Sequence, residues 1–336
     1  MSSMERLPNL SFVGDVSDKA RKEKRKEYER FMIEDHRLRI SQEEKEKLAR
    51  HEVAKTPEEI RLFEFADSWG QKRQEICGAT PYQFPVRNIF LLKPDGYNEM
   101  VGGSGATGYV DSQRIAMVIQ DNKYNLTSKV FHEMTHCRGK IVVEIAERDQ
   151  RVLGNTLRTG LTVHSTSTQN RRGESHKHLH GLEEAVVSQE EVYFSFALLD
   201  RPEFKELKRM MLSESGRAER ERICDAKKLD NDDLLCFDPE KKEYEIVGYS
   251  KQRKVLRYVC QEIAEAVNST ENEVYFLFLK AHFSGHLLEI ARLFEKTFGS
   301  GAFRRLGDMG TDSVSAVQTL EALKRMRAGM IGTRDK

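Results

Sequence analysis

The sequence predicts an α+β protein in which a small β-sheet supports a helix with two histidines and a helical C-terminal subdomain is added. Two apolar segments of strand length, 87–93 and 114–120, lead through a short turn to the pattern H-E-x-x-H within residues 131–139. Apolar residues at helical spacing return from residue 251 onward. A chain of 336 residues with 38% hydrophobic residues is long enough to bury such a core.

The first part of the chain, residues 1–55, is dense in Lys, Arg and Glu, which predicts a charged arm that is helical or partly disordered. Glutamates closely follow its most basic run, 19–26, so we interpret that run as a solvated surface. A folded domain is expected to begin at Thr56, because Thr is a favoured helix cap, Pro57 suits the first helical turn and two acidic residues follow.

The glycine-rich segment 102–108 lies between the two predicted strands. It lacks the Lys-Thr ending of a phosphate-binding loop, so we interpret it as a mobile loop. Beyond the H-E-x-x-H pattern, residues 140–146 and 157–166 are predicted as strands of a hairpin or small sheet. The stretch 176–188 then passes from a histidine-rich turn into a helix.

The H-E-x-x-H pattern indicates a specific chemistry. His132 and His136 project from one face of the predicted helix, one turn apart, so both imidazoles can reach one metal ion. A catalytic zinc is usually held by three protein ligands, with the fourth position open for water. Glu133 is then expected beside that water, where it can take a proton during attack on a carbonyl. The pattern therefore predicts one zinc ion, hydrolysis of amide bonds, and a peptide or protein substrate.

The third ligand is expected in the stretch 176–188, where four side chains compete. They are His178, His180, Glu183 and Glu184. The apolar stripe of the predicted helix leaves both glutamates on its flanks, so helical periodicity does not choose between them. A flexible turn positions a ligand less well than a helix does, which counts against the two histidines.

Several other side chains have the chemistry for a role at such a site. His282 and His286 also lie four residues apart, but no Glu follows the first and Gly285 interrupts the helix, so a structural role is expected for both. Tyr193, Tyr249 and His282 are candidate donors to the oxyanion that forms during hydrolysis. None of the three is assigned to the site.

The composition excludes several classes of partner. A formal net charge of +1 provides no basic field, so no nucleic-acid partner is predicted. No apolar run is long enough to span a bilayer and the first residues lack the apolar core of a signal peptide, so we expect a cytoplasmic protein without a membrane partner. The five cysteines are scattered and never form a C-x-x-C pair, which indicates reduced thiols.

The motif H-E-M-T-H at 132–136, followed by G-L-E-E-A-V-V at 181–187, resembles the glutamate-type zincin metallopeptidases. In particular it is similar to uncharacterised zincin-like proteins of bacterial genomes, with a likeness from about residue 58 to 198 and a similar helical C-terminal part. The resemblance implies a zincin-like metallopeptidase fold and a third ligand on the downstream helix, in patterns such as L-N-E-A or N-E-G. Here Glu183 stands where that pattern often has Asn, and Ala185 where several peptidases have Gly.

The resemblance aligns Glu184 with the third ligand. The polar Ser188 one turn later and the small Ala185 beside it support the same choice, so we predict Glu184 as the ligand. An alternative function is a non-catalytic binding protein with a zinc-stapled fold, although such a site needs no base like Glu133 and usually closes its fourth position. The expected divisions are a charged arm, a zincin-like catalytic domain, a linker or insertion, a helical subdomain and a tail: 1–55, 56–200, 201–247, 248–300 and 301–336.

Overall fold

The computed structural model describes residues 10–38, 40–101, 108–110, 116–119, 121–148, 151–164, 177–230, 233–238 and 243–334. Within these ranges the protein is mainly helical, with two small sheets and one separate hairpin. The α+β prediction is confirmed. The predicted mobile loop, 102–108, lies outside the described residues except for Gly108.

The helices are α1 (Asp18–Ile33), α2 (Gln42–His51), α3 (Pro57–Ile76), α4 (Pro94–Val101), α5 (Lys123–Arg138), α6 (His180–Leu198), α7 (Lys205–Leu212), α8 (Glu214–Lys227), α9 (Ser250–Val267), α10 (Glu271–Ser284), α11 (Leu288–Phe298), α12 (Ala302–Gly307) and α13 (Ser313–Arg334). The strands are β1 (Leu10–Val13), β2 (Glu52–Val53), β3 (Ile89–Leu92), β4 (Gly108–Val110), β5 (Ala116–Ile119), β6 (Ile141–Arg148), β7 (Arg151–Thr159), β8 (Thr162–His164), β9 (Lys177–His178), β10 (Leu234–Asp238) and β11 (Glu243–Ile246). Among the described helices, none has the length and apolar character that crossing a membrane requires.

The first sheet has the strand order β2-β3-β5-β4 and places the helix with the two histidines. Strands β3 and β5 are parallel, with Ile89 opposite Ala116, and β4 pairs antiparallel with β5. All of β3 is buried, as expected of a strand covered on both faces. After β5 the chain turns at Asn122, whose side chain caps α5 by accepting a hydrogen bond from the Asn125 N–H. The predicted order of strand, turn and helix is therefore present.

The second sheet has the order β1-β6-β7-β8-β9, built on the hairpin of β6 and β7. The predicted single strand 157–166 was wrong, because the chain turns between β7 and β8 at Gly160, which has φ 59°. Two short strands of the charged arm enter the sheets: β1 pairs with β6, and β2 pairs with β3. The arm is thus part of both sheets, which its charge pattern does not indicate.

Helix α6 lies between two hydrophobic cores. Phe194 on one side stacks on Phe131 of α5 at 4.2 Å, within a core that includes α3 and the first sheet. Leu182 and Val186 on the other side pack into a core formed with the C-terminal helices α9 to α13. A helix that is apolar on most of its surface is expected to be buried in this way.

The segments on either side of the expected helical subdomain also contain regular structure. Residues 201–247 contain α7, α8 and the hairpin of β10 and β11. The expected tail, 301–336, contains all of α12 and α13, and its Ala302, Leu306 and Leu323 are buried in the C-terminal core. The C-terminal core therefore extends past residue 300 to the last described helix.

Candidate metal centre

Helix α5 holds His132 and His136 in place because most of its remaining surface is buried. Val130, Phe131 and Met134 belong to the first core. At its end, the fully buried Arg138 forms an ion pair with Asp67 of α3, which fixes the last turn of the helix. A ligand pair needs a rigid support of this kind, because a metal ion tolerates only small displacements of its ligands.

The start of α6 is fixed against the end of α12 and the residues that follow it. The Leu179 N–H donates to the Gly307 carbonyl at 2.7 Å, and the Gly181 N–H donates to the Met309 carbonyl at 3.0 Å. A Cβ atom at Gly181 would lie only 2.6 Å from the Met309 carbonyl oxygen, so this close approach requires glycine. Glu184 follows within one turn and faces α5.

Three side-chain atoms of these two helices form a nearly equilateral triangle. The His132 Nε2 and His136 Nε2 atoms are 3.3 Å apart. The Glu184 Oε2 atom is 3.5 Å from the His132 Nε2 and 3.4 Å from the His136 Nε2. The three residues are buried together and form a group that can hold a metal ion.

The dimensions of this triangle fit a tetrahedral ion. Zinc bonds of about 2.0–2.2 Å to nitrogen and oxygen place tetrahedral ligand atoms about 3.3–3.6 Å apart. The Glu184 Oε2 atom is buried and accepts no hydrogen bond from the residues that the structure describes. Because a buried carboxylate oxygen normally has a partner, this atom is suited to a metal ligand. The donor set of two imidazoles and one carboxylate is also that of several catalytic zinc sites.

His132 is oriented by a carboxylate on the opposite side of its ring. Its Nδ1 atom lies 3.0 Å from the Glu191 Oε2 atom, and the Ser128 hydroxyl donates to the other Glu191 oxygen at 3.0 Å. Metal-bound histidines commonly donate their second ring N–H to a carboxylate, which fixes the tautomer. Glu191 escaped the sequence analysis, although it lies seven residues after Glu184 on the same helical face.

His136 has a corresponding partner in Glu183. The His136 Nδ1 atom lies 3.3 Å from the Glu183 Oε1 atom. The other carboxylate oxygen accepts from the Leu161 N–H at 2.6 Å and faces the Nδ1 atom of His282 at 3.0 Å. The structure therefore places Glu184 in the triangle, and it places Glu183 behind His136. The two consecutive glutamates have different neighbours because they point about 100° apart on the helix.

The two other candidate ligands are not part of the triangle. His178 is half-exposed, with its Nδ1 atom 3.7 Å from an Asp308 carboxylate oxygen. The His180 Nδ1 atom is 3.9 Å from the Glu184 Oε1 atom and 3.4 Å from the Thr162 hydroxyl. His180 thus borders the site without contributing to the group of three. The buried hydroxyl of Ser188, one turn after Glu184, has no hydrogen-bond partner among the described residues, so it gives the ligands no support there.

Of the three candidate donors, only Tyr249 has its side chain beside a triangle residue, His132. Its ring is stacked over His132, with 6.3 Å between the ring centroids and 17° between the planes. The hydroxyl faces Glu184, and burial together with the Glu184 and Glu133 carboxylates raises the pKa of this phenol. Tyr193 lies on the opposite face of α6, against Tyr275. His282 is buried behind the ligands.

The ion pairs of the site change its protonation. Burial alone lowers the pKa of a histidine, but the Glu184 and Glu191 carboxylates outweigh it and raise the pKa of His132 well above its ordinary value. The same competition, with Glu184 and Glu183 as partners, raises the pKa of His136 to about 10. In return, both imidazoles lower the pKa of Glu184 despite its burial. The carboxylates around both imidazoles thus favour their protonated forms, so protons and a metal ion compete for the same nitrogens.

Comparisons with protein-family models, with curated proteins and with solved structures found no match.

The geometry predicts which substitutions abolish metal binding. Purified protein should take up about one zinc ion per chain. Alanine at His132, His136 or Glu184 should remove a ligand and lower affinity by more than the 10–100-fold that is usual for an outer hydrogen-bonding partner. Glu183→Ala should lower the metal affinity only by that smaller factor, and His178→Ala should leave the affinity unchanged. Competition with a chelator measures the affinities. Unchanged binding in Glu184→Ala, with loss in Glu183→Ala or His180→Ala, would overturn the assignment.

The raised histidine pKa values predict that metal uptake releases protons. Only neutral imidazole binds a metal ion, so metal uptake near pH 7 should release protons. Affinity should therefore rise with pH until it passes the pKa of His136, about 10. Titration calorimetry with zinc in buffers of different ionisation enthalpy measures the release. A heat of binding that does not depend on the buffer would contradict this prediction.

Proposed function

We propose that this protein is a zinc-dependent metallopeptidase with a zincin-like fold, which hydrolyses peptide bonds. The observation that carries the proposal is the triangle of His132, His136 and Glu184, whose edges fit a tetrahedral ion. The element order supports it as well. A small sheet leads into α5 with the two histidines, and the later helix α6 brings the carboxylate.

The position of Glu133 supports catalysis rather than a purely structural ion. Its buried carboxylate interacts with the same histidines and with Glu184. Burial raises the pKa of Glu133, although His132 and His136 oppose this effect. A carboxylate with a raised pKa is a better base near neutral pH than an exposed one. A structural site has no use for a base at this position.

The mechanism assigns a role to each side chain. Zinc, when bound, supplies a Lewis acid for the substrate carbonyl and lowers the pKa of water to about 7. Glu133 accepts the proton of the attacking water and then transfers it to the leaving amine, so that no net proton is consumed at Glu133. Glu191 and Glu183 hold the two imidazoles in the orientation that the ligand geometry needs.

Tyr249 is the proposed donor to the oxyanion that develops on the substrate carbonyl. Its backbone lies in the left-handed region, with φ 58° and ψ 33°, which is unfavourable for a tyrosine. Residues in such conformations cluster at functional sites, although Leu179, Lys228 and Asn268 have a positive φ here as well. The hydroxyl beside Glu184 is available to donate once a substrate oxygen enters the site.

Strand β4 supports a peptide as the substrate. It is the last strand in the order β2-β3-β5-β4, and in the described part of the chain only β5 pairs with it. Helix α5 packs against this same strand. An extended peptide can add to such an edge through its main-chain hydrogen bonds, which would bring it alongside the metal ligands.

Cleavage of a diverse peptide library by zinc-loaded protein, followed by mass spectrometry, tests the proposed function. Glu133→Gln keeps the shape of the side chain but cannot act as a base, so it should bind zinc with wild-type affinity and lose on the order of 10²–10⁴-fold in turnover. Turnover equal to wild type would exclude Glu133 as the base. A zinc-loaded wild type that cleaves no peptide would favour the non-catalytic binding protein.

Tyr249→Phe tests the oxyanion donor. Removal of one such donor commonly lowers kcat on the order of 10²–10³-fold, so kcat should fall while KM and zinc affinity change little. Tyr193→Phe is the matched control, because that phenol is on the opposite face of α6. If Tyr249→Phe lowered zinc affinity and left kcat of the loaded enzyme unchanged, the tyrosine would support Glu184 instead.

A further inference from the structure

His282 lies on α10, far from the metal ligands in sequence, and both of its ring nitrogens are hydrogen-bonded. The side chain is completely buried, with 0% of its surface exposed. The Nδ1 atom lies 3.0 Å from the Glu183 Oε2 atom, and the Nε2 atom lies 3.0 Å from the Thr135 carbonyl oxygen. A backbone carbonyl can only accept, so the Nε2 atom is the donor of the second bond.

Both bonds of His282 end next to the same ligand. Glu183 uses its other oxygen to face His136 Nδ1 at 3.3 Å. Thr135 directly precedes His136 on α5. His282 therefore holds His136 from two directions: through the carboxylate that orients the ring and through the backbone that carries it. A histidine that merely fills a core needs a partner for its nitrogens, but nothing requires both partners to be neighbours of one metal ligand.

Two positions beside these contacts, Gly139 and Gly160, leave no room for a residue larger than glycine. A Cβ atom at Gly160 would lie 2.3 Å from the Glu183 Oε1 atom, and one at Gly139 would lie 2.9 Å from the His282 Cε1 atom. Gly160 also has φ 59°, which favours glycine independently of the space. In addition, the Lys140 N–H donates to the His282 carbonyl at 2.9 Å. The end of α5 and the turn after β7 are thus fitted closely to His282 and Glu183.

We propose that His282 is a positioning residue for the metal ligand His136, so that helix α10 of the C-terminal part completes the metal centre. The inference rests on the proposed metal site. It adds a residue that contacts the partners of a ligand, beyond the ligands and the partners themselves. It also means that residues 56–200 alone do not contain the whole site. Loss of an outer partner of a metal-bound histidine typically costs 10–100-fold in metal affinity, and we expect a loss of this size when His282 no longer holds Glu183.

Three substitutions of His282 separate its two hydrogen bonds. In His282→Asn the side-chain amide nitrogen takes the place of Nδ1 and can keep the bond to Glu183. In His282→Gln the amide nitrogen takes the place of Nε2 and can keep the bond to Thr135. His282→Phe keeps a ring and removes both bonds. Each full-length variant is titrated with Co²⁺, whose visible absorption reports both affinity and the geometry of the ligands.

We expect His282→Phe and His282→Gln to bind Co²⁺ about 10–100-fold more weakly than wild type, with a changed absorption spectrum. His282→Asn should restore most of the affinity and the wild-type spectrum, because it keeps the bond to Glu183. In Glu183→Gln, the further change His282→Gln should add little, because two residues that act through one contact are not additive. If His282→Phe does not fold, the comparison of His282→Asn with His282→Gln still tests the inference.

Two controls separate positioning from general stability. His286→Gln changes the exposed histidine one turn later and should leave Co²⁺ binding unchanged. Leu279→Ala removes a buried side chain of the same helix, so it should lower Tm without changing the spectrum. Wild-type affinity and spectrum in both His282→Phe and His282→Gln would overturn the inference alone. The inference would also be overturned if every variant, including Leu279→Ala, lost Co²⁺ affinity in proportion to its fall in Tm. A wild type that binds no Co²⁺ would overturn the metal site itself.

Discussion

The structure depends on how buried carboxylate charge is compensated between α5 and α6. Four glutamates are buried there: Glu133, Glu183, Glu184 and Glu191. An unpaired carboxylate in a protein interior costs several kcal/mol even after relaxation. The imidazoles of His132, His136 and His282 are the partners of three of them. A divalent cation between the two imidazoles and Glu184 would compensate the carboxylates in place of the protons that it displaces, so the charge compensation of the cluster does not depend on protonated histidines.

The arrangement of the helices follows from this constraint. Helix α6 has to be buried on nearly all sides and still present a polar stripe to α5. That stripe consists of positions spaced by four, three and four residues: Glu184, Ser188, Glu191 and Ser195. The remaining faces supply apolar side chains to two separate cores, which keep the stripe at a fixed distance from α5. The C-terminal helices are therefore part of what holds the site, and they contribute His282 to it directly.

Local patterns predicted the parts of the site that lie within one element. The spacing of His132 and His136 and the neighbouring Glu133 indicate a metal helix without further information. The periodic polar stripe on an otherwise apolar helix is also visible in the sequence, and it would have indicated Glu191. His282 could not be predicted in this way, because its partners are 99 and 147 residues away. The turn at Gly160 was missed for a similar reason, since β-branched and apolar residues on both sides continue the strand pattern across it.

The contacts of Glu183 show why a glutamate suits this position. Three groups converge on its carboxylate: the Leu161 N–H, the Nδ1 atom of His136 and the Nδ1 atom of His282. For His136 to bind a metal through Nε2, its Nδ1 atom must carry the proton and donate it. An ionised carboxylate accepts at both oxygens, so it can accept from the Leu161 N–H at one oxygen and from His136 at the other. The amide of Asn would turn an NH₂ group toward one side and could accept only at the other, and its side chain is one carbon shorter. Because His282 lies behind Glu183, a glutamate is the residue that can join both histidines to the turn at Gly160.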